Sequence, residues 1–155
     1  MSIRERLDAD MKEALRARDA RRLNCIRMLK SKLLEREVAL RGQHGKDYRI
    51  ADEEALSVIA AYAKQRGDSI EGYRQGGRDD LVAAEQAELE LVRFYLPEPL
   101  SEAALRGIIG EAIATSGARS AQDLGAVMKL VAPRTKGLAD GRVVNQLVRS
   151  MLAGS

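Results

Sequence analysis

Leu96-Pro-Glu-Pro-Leu-Ser101 interrupts a chain that otherwise has the pattern of successive helices. Proline lacks a backbone N–H and disfavours helical geometry in the residue before it, so two prolines within three positions cannot continue a helix. The stretch predicts an N-terminal domain of residues 1–96, a Pro-containing joint of residues 97–100, and a C-terminal domain of residues 101–155. Ser101 is well placed to cap the helix that follows the joint.

Before the joint, apolar residues recur at helical spacing in four segments. The second segment follows an expected N-cap at Asp19 and is broken by Gly42-Gln-His-Gly45. The third is expected to be capped by Asp52 and to stop at Gly76-Gly77. The fourth starts at Asp79 or Asp80. The apolar stripes of these four helices are Ile3, Leu7, Met11, Ala14 and Leu15; Leu23, Ile26, Leu29, Leu33 and Leu40; Leu56, Ile59, Ala60, Ala63, Ile70 and Tyr73; and Leu81, Ala84, Leu89, Val92 and Leu96.

After the joint, the pattern predicts three shorter helices. The first ends near Gly117, and the second starts at Ser120, where Asp123 completes a variant of the capping box, and stops before Pro133. The third starts at Asp140. Sustained period-two alternation is absent from the sequence, so we predict an all-α fold: about four helices in the N-terminal part, then a small three-helix tail domain.

Composition supports a helical protein with an aliphatic core. Aromatic residues make up 3% of the 155 residues and Trp is absent, so the core is expected to consist of Leu, Ile, Val, Ala and Met. Neither a membrane-spanning run nor a secretory signal is evident, and the single cysteine, Cys25, cannot form an intramolecular disulfide. These observations predict a cytoplasmic protein that does not interact with membranes.

The sequence contains few residues that could support catalysis or bind a cofactor. The one histidine, His44, is expected in a Gly-flanked loop, and Cys25 is expected to be a packed, inert thiol. Gly42-Gln-His-Gly-Lys46 departs from a phosphate loop in its glycine spacing and in the Asp that follows Lys46. Zinc would lack its usual His and Cys ligands. We therefore predict no catalytic residues, no cofactor and no metal.

The tail carries the one positive functional signal, a group of basic residues on both sides of the turn Lys136-Gly-Leu-Ala-Asp140-Gly141. Basic side chains next to a helix N-terminus can hold phosphate groups. Asp140 argues against this, because its carboxylate would cap the same helix end and repel a phosphate. The scarcity of aromatic residues argues against base stacking and favours recognition of folded RNA by its shape and backbone. The candidate nucleic-acid-binding residues are Lys129, Arg134, Lys136, Arg142 and Arg149.

Charge is distributed unevenly along the chain. Residues 1–41 contain 12 Lys and Arg against 7 Asp and Glu, whereas residues 50–98 contain 5 against 11. A basic front, an acidic middle and a basic tail could meet oppositely charged partners, or the segments could neutralise one another in the fold. The acidic middle segment argues against RNA binding, because it would repel a polyanion. An alternative function is therefore a protein–protein adaptor that docks a larger enzyme through this segment.

The order and spacing of several motifs resemble the GatB/YqeY family along essentially the whole chain. In the N-terminal part they are Arg27-Met-Leu-Lys30, Ser69-Ile-Glu-Gly-Tyr73, Gly77-Arg-Asp-Asp-Leu81, Glu85-Gln-Ala-Glu-Leu-Glu90 and Tyr95-Leu-Pro97. In the tail they are Gly125-Ala-Val-Met-Lys129, Lys136-Gly-Leu-Ala-Asp-Gly141 and Val144-Asn-Gln-Leu-Val148. One departure is Leu138, where the family usually has a basic residue.

The resemblance implies a two-part helical protein. It also implies a tail domain similar to that of the B subunit of the glutamine-dependent aspartyl/glutamyl-tRNA amidotransferase, where the domain is understood to contact tRNA. A carbon–nitrogen ligase activity with glutamine as amido-N-donor goes with the family label. That chemistry needs a glutaminase nucleophile and a nucleotide site, and the residues above supply neither. We therefore expect an accessory, tRNA-binding module that acts near aminoacyl-tRNA metabolism and is not itself catalytic.

Overall fold

Seven α-helices and one short 3-10 helix at Ala121–Asp123 make up the secondary structure of the described residues in the computed structural model. The structure describes residues 1–154. It contains no β-strand within that range, which confirms the predicted all-α fold class. The helices are α1 Ile3–Arg16, α2 Ala20–His44, α3 Asp52–Gln75, α4 Asp79–Arg93, α5 Glu102–Ser116, α6 Leu124–Thr135 and α7 Gly141–Ala153.

The first compact unit, Met1–Leu96, contains α1 to α4. Its main core is formed by fully buried aliphatic side chains such as Leu7, Ile26, Leu29 and Ile59. Burying a side chain of this size contributes about 1.5–3 kcal/mol, so the apolar faces of these helices hold the unit together.

The second compact unit begins at Pro97 and contains α5 to α7. Its separate core includes Ile109, Val127, Val131 and Val148, all fully buried. The backbone N–H of Leu100 donates to the carbonyl oxygen of Leu138 at 2.8 Å, which fixes the start of this unit to the turn that precedes α7.

Several predicted helix ends are confirmed, because they depend on residues three or four positions apart. Asp19 caps α2 and Ser101 caps α5, each accepting a backbone N–H at 3.1 Å. Ser120 and Asp123 form the expected capping box. Gly117 ends α5 with a φ of +71°, a left-handed conformation that glycine adopts without a steric penalty.

The expected break of α2 over Gly42–Gly45 is confirmed at Gly45, but the placement of Gly42 and His44 outside the helix is wrong. The helix continues to His44 and ends at Gly45, whose φ is +100°. One glycine costs a helix about 1 kcal/mol relative to alanine. That cost is offset here by contacts of the preceding turns, where Glu37 binds Arg41 on the same helix and accepts the backbone N–H of Ile50 from the segment after it. His44 stacks on Tyr48 with ring centroids 4.6 Å apart.

Asp52 does not cap α3, contrary to the sequence-based prediction. The N-cap is Ala51, which makes no side-chain capping bond, and Asp52 is the first helical residue. Its Oδ1 atom instead accepts the backbone N–H of Ile3 at 3.1 Å. The carboxylate therefore satisfies a free donor at the start of α1 rather than at the start of its own helix.

The expected stop before Pro133 is also wrong, since α6 runs through Pro133 to Thr135. A proline removes one helical hydrogen bond, but here only the last turn is affected. The Thr135 hydroxyl donates to the carbonyl oxygen of Val131 at 3.1 Å, and the Lys136 N–H donates to that of Ala132 at 3.0 Å. These two bonds carry the helix past the proline.

Part of the predicted core is corrected by the structure. Leu15 is 50% exposed and Ala84 is exposed, whereas Val82 is buried on α4. Tyr62 and Tyr95 are buried as well, although the composition predicted a core of aliphatic residues. Each ring packs in the core while its hydroxyl donates to a carboxylate, Glu88 at 2.8 Å and Asp10 at 2.6 Å respectively.

Candidate nucleic-acid interface

The turn between α6 and α7 brings the basic segment of the tail into one compact structure. Gly137 has a φ of +76°, and the N–H groups of Leu138 and Ala139 both donate to the carbonyl oxygen of Thr135, at 2.9 and 3.1 Å. Thr135 is itself buried. The glycine is needed because a side chain would strain this left-handed position, and the resulting turn leads directly into the N-terminus of α7.

The five predicted basic residues are all exposed. Lys129 lies on α6 and Lys136 is the non-helical residue that follows its last turn, whereas Arg142 and Arg149 are seven residues apart on α7. A spacing of seven places two side chains nearly above one another on a helix. Arg142 and Arg149 therefore form a row of positive charge along α7, and Lys129 and Lys136 lie on α6 and directly after it. We call these four residues the basic rows of the tail.

Two of the five residues have polar partners within the tail. The guanidinium of Arg134 lies 2.7 Å from Oε2 of Glu111 on α5, so this charge is already compensated. Nε of Arg149 donates to Oδ1 of Asn145 at 2.8 Å, a bond that orients the guanidinium without neutralising it. In residues 1–154, Lys129, Lys136 and Arg142 have no ion-pair partner.

The N-terminus of α7 is occupied by its own capping group. Oδ1 of Asp140 accepts the backbone N–H of Arg142 at 2.8 Å. A carboxylate at this position stabilises the positive end of the helix. It also repels a second anion, so the helix end by itself is a poor phosphate site and any phosphate must be held by the basic side chains around it.

A groove of about 600 Å³ lies between the end of α6 and the start of α7. Its walls include Met128, Pro133, Gly137 and Val144, and Lys136 is the one charged residue among those that line it. Leu138 is half-buried and lines a different groove, together with Leu100 and Leu105. The groove therefore has mostly apolar walls and a single basic side chain, so contact with a phosphate backbone would depend on Lys136 and on the basic residues outside the groove.

Cys25 and His44 do not form a reactive pair in this structure. Cys25 is buried in the core, and burial raises the pKa of its thiol to about 11. The neutral thiol is a weak nucleophile, because thiolate is the reactive form. Gly42, Gln43 and His44 belong to α2, so most of the Gly42–Lys46 segment is not a loop.

No group of three or more His, Cys, Asp or Glu side chains within residues 1–154 is arranged to hold a metal ion. Likewise, none of the helices in that range is both long and apolar enough to cross a bilayer.

A buried carboxylate was missed from the sequence. Glu37 is 1% exposed, and it is bound by Arg4, Arg41 and Arg49 at 2.7, 3.0 and 3.7 Å. The sequence did indicate that this position is buried, because Glu37 lies four residues after Leu33 on α2, where the apolar stripe predicts a hydrophobic side chain. Of its partners, Arg41 lies four residues further along α2 and could be inferred from helix spacing, whereas Arg4 and Arg49 come from other parts of the chain and could not.

Several known proteins are similar to this chain. A protein from Saccharomyces cerevisiae named "Altered inheritance of mitochondria protein 41, mitochondrial" is 33% identical over 92 residues, which are 59% of this chain and 47% of the relative. Its namesake from Eremothecium gossypii is 31% identical over 90 residues, or 58% and 46%. The chain thus spans about half the length of these curated relatives.

A third relative matches almost the whole chain. The protein of the same name from Pyrenophora tritici-repentis is 30% identical over 153 residues, covering 95% of this chain and 79% of the relative. The family model described as Yqey-like protein matches residues 4–152, which leaves out only the first three and the last three residues of the chain. This chain therefore belongs to the YqeY-like protein family.

Proposed function

We propose that the protein is an RNA-binding accessory module that holds the phosphate backbone of a folded RNA through the basic rows of its tail. The observation that carries this proposal is the absence of an acidic partner for Lys129, Lys136 and Arg142 within the described chain. Such charges are free to replace counterions on phosphates, which is the main source of affinity in backbone recognition.

The RNA class follows from the lack of stacking groups and from the resemblance of the tail. The unit that begins at Pro97 contains no aromatic residue, so base stacking does not contribute there. Recognition by shape and backbone is typical of proteins that bind folded RNA. A similar tail domain in the amidotransferase B subunit is understood to contact tRNA, which makes tRNA the first ligand to test.

The middle segment keeps its net negative charge, but several of its carboxylates are held in ion pairs. They pair with arginines of the same unit: Glu54 with Arg36, Glu71 with Arg74, Asp80 with Arg78 and Glu85 with Arg66. Such pairs reduce the field that would repel a polyanion.

The test is tRNA affinity measured across a salt series with the full-length protein. The triple variant Lys129→Ala, Lys136→Ala and Arg142→Ala is expected to flatten the dependence of log K on log salt by about 2–3 units of slope. Arg134→Ala is expected to have a much smaller effect, because Glu111 already compensates that charge.

A matched control removes the same amount of charge elsewhere. Lys46, Lys64 and Arg93 are exposed cations of the first unit with no ion pair in the described chain. Replacing all three by alanine is expected to leave the slope near that of the wild type. If this control flattens the slope as much as the tail variant, or if the wild type does not bind tRNA at low salt, the proposal fails.

The alternative function is a protein–protein adaptor that docks a larger enzyme through the acidic middle segment. The observation that favours it is Phe94, which is 65% exposed near the end of that segment. Exposed aromatic side chains often serve as anchors in protein interfaces. Glu90, one turn earlier on α4, is exposed and unpaired in the described chain, so it could meet a basic partner.

The adaptor function is tested by purifying the tagged protein from nuclease-treated lysate and comparing wild type with Phe94→Ala. A specific protein retained after RNA removal and lost in the variant supports docking through Phe94. Retention that is equal for both proteins rules out this anchor, and loss of every partner after nuclease treatment favours RNA binding.

A further inference from the structure

The turn between α1 and α2 carries four exposed basic side chains that have no ion pair in the described part of the chain. Lys12 and Arg16 are four residues apart on α1 and share a face. Arg18 lies in the turn itself, and Arg21 lies in the first turn of α2. We call these four residues the basic corner.

The carboxylates near the basic corner are bound by other groups. Asp10 and Glu13 lie 3.5 and 3.4 Å from the guanidinium of Arg22, and Asp10 also accepts the Tyr95 hydroxyl at 2.6 Å. Asp8 pairs with Lys30, and Asp19 caps α2 by accepting the N–H of Arg22. None of the four positive charges is directly paired with a carboxylate, although Asp10 and Glu13 share one guanidinium and Asp19 keeps its negative charge as the cap of α2.

Two of the four basic residues occupy positions that do not favour folding. Arg18 has a φ of +55°, the one positive φ of a non-glycine residue in the described chain. Its N–H donates to Leu15 and that of Asp19 to Ala14, a helix ending that usually has glycine at this position. Arg21 places a cation at the positive end of α2, where the helix dipole disfavours it.

Backbone strain of this kind concentrates at functional sites. We propose that the basic corner is a second phosphate-binding surface, which holds the backbone of a nucleic acid without reading its sequence. The proposal rests on the proposed function for the class of ligand, but it concerns a surface in the other helical unit and does not depend on the tail rows.

The chemistry of the corner favours phosphate over other acidic partners. Three of its four cations are arginines, whose planar guanidinium matches the geometry of phosphate oxygens in bidentate pairs. Residues 12–21 contain no aromatic side chain, and Leu15 is their one exposed large hydrophobic residue. A protein interface usually needs apolar or aromatic anchors, and a membrane-binding helix needs a continuous apolar face.

The experiment measures binding of the full-length protein to tRNA and to a single-stranded homopolymer RNA over about 50–200 mM salt. The corner variant replaces Lys12, Arg16, Arg18 and Arg21 by glutamine. It is compared with the tail triple variant and with a control in which Lys46, Lys64, Arg93 and Arg119, four exposed cations outside both surfaces, become glutamine. Circular dichroism checks that each variant is folded.

We expect the corner variant to lose about tenfold or more in affinity at low salt for both RNAs, and its salt slope to fall by about 3 units. The control should lose much less. If the corner variant binds like the control while the tail variant loses affinity, the corner proposal is overturned and the proposed function stands.

The reverse result, loss of affinity in the corner variant only, supports the corner and contradicts the tail surface. If neither variant differs from the control, both proposals fail. Polyglutamate included as an acidic polypeptide provides the last comparison: if it competes as well as RNA at equal charge, the corner is a general anion surface and the nucleic-acid proposal is wrong.

Discussion

The carboxylate of Glu37 on α2 lies 2.7 Å from the guanidinium of Arg4 on α1. The carboxylate is buried, whereas Arg4 and the other two arginines that bind it remain partly exposed. Oε2 also accepts the backbone N–H of Ile50 at 3.2 Å. One side chain thus fixes α1, the end of α2 and the segment that leads into α3.

Replacing Glu37 by alanine is expected to lower the free energy of unfolding by about 3 kcal/mol, because the partners lose a buried counter-charge. Arg4→Ala should cost clearly less, since Arg41 and the Ile50 N–H still bind the carboxylate. Urea unfolding of both variants measures the difference. This role of the carboxylate would be contradicted if Glu37→Ala lowered the free energy of unfolding by no more than Arg4→Ala does.

Arg18→Gly is expected to stabilise the protein by about 1 kcal/mol, because glycine adopts a φ of +55° without the steric cost of a Cβ. Arg18→Ala is the matched control, since it removes the same charge but keeps the Cβ. Thermal unfolding should therefore show a higher midpoint for the glycine variant only. Equal midpoints for the two variants would mean that Arg18 stores no strain.

Stability is expected to fall above pH 9 because of Cys25. The unfolded thiol loses its proton near its ordinary pKa of about 9, whereas burial raises the pKa of the folded thiol to about 11. Between these values deprotonation favours the unfolded chain, and the free energy of unfolding decreases by up to about 2–3 kcal/mol. Below pH 9 both states hold the proton, so this group adds no pH dependence.

Urea unfolding of wild type and Cys25→Ala at several pH values from about 8 to about 11 measures the contribution of the thiol. The variant should lose the decline that starts near pH 9. A later decline remains in both proteins, since burial, together with the hydrogen bond to Glu88, raises the pKa of Tyr62 to about 12. Parallel curves for wild type and variant would show that the Cys25 thiol does not titrate in this way.

Asp140→Ser is expected to strengthen tRNA binding about threefold at low salt, which corresponds to the roughly 0.7 kcal/mol of one exposed charge. Serine retains a capping oxygen for the N–H of Arg142, so the stability of α7 should change by only a few tenths of a kcal/mol. Asp140→Ala removes the cap as well and should lower stability by about 1 kcal/mol. An unchanged affinity for both variants would place the RNA away from this turn.

Much of the fold can be predicted from the sequence because helix ends depend on nearby residues. Asp19, Ser101, Ser120 and Asp140 each cap a helix through bonds to backbone groups two or three positions away. The chain also divides into its two compact units between Leu96 and Pro97, at the proline-containing stretch where helical geometry cannot continue.

Other features required contacts between distant parts of the chain. Asp52 has the sequence context of a cap, but its carboxylate binds Ile3, 49 positions away. The local capping preference of Asp52 is worth only about 1 kcal/mol, so a tertiary contact can outweigh it. Pro133 differs, because the bonds by which Thr135 and Lys136 carry α6 past it are local and reach only four residues back.

The candidate site divides in the same way. The sequence by itself determined the family, the helical pattern and the concentration of basic residues around the Lys136–Gly141 turn. Only the tertiary structure decided which charges are free: Arg134 is bound by Glu111 from α5, whereas Lys129 and Lys136 have no such partner in the described chain. The physical reason is the sequence separation of the interacting residues. Caps and turns depend on neighbours in sequence, whereas charge pairing depends on which helices pack side by side.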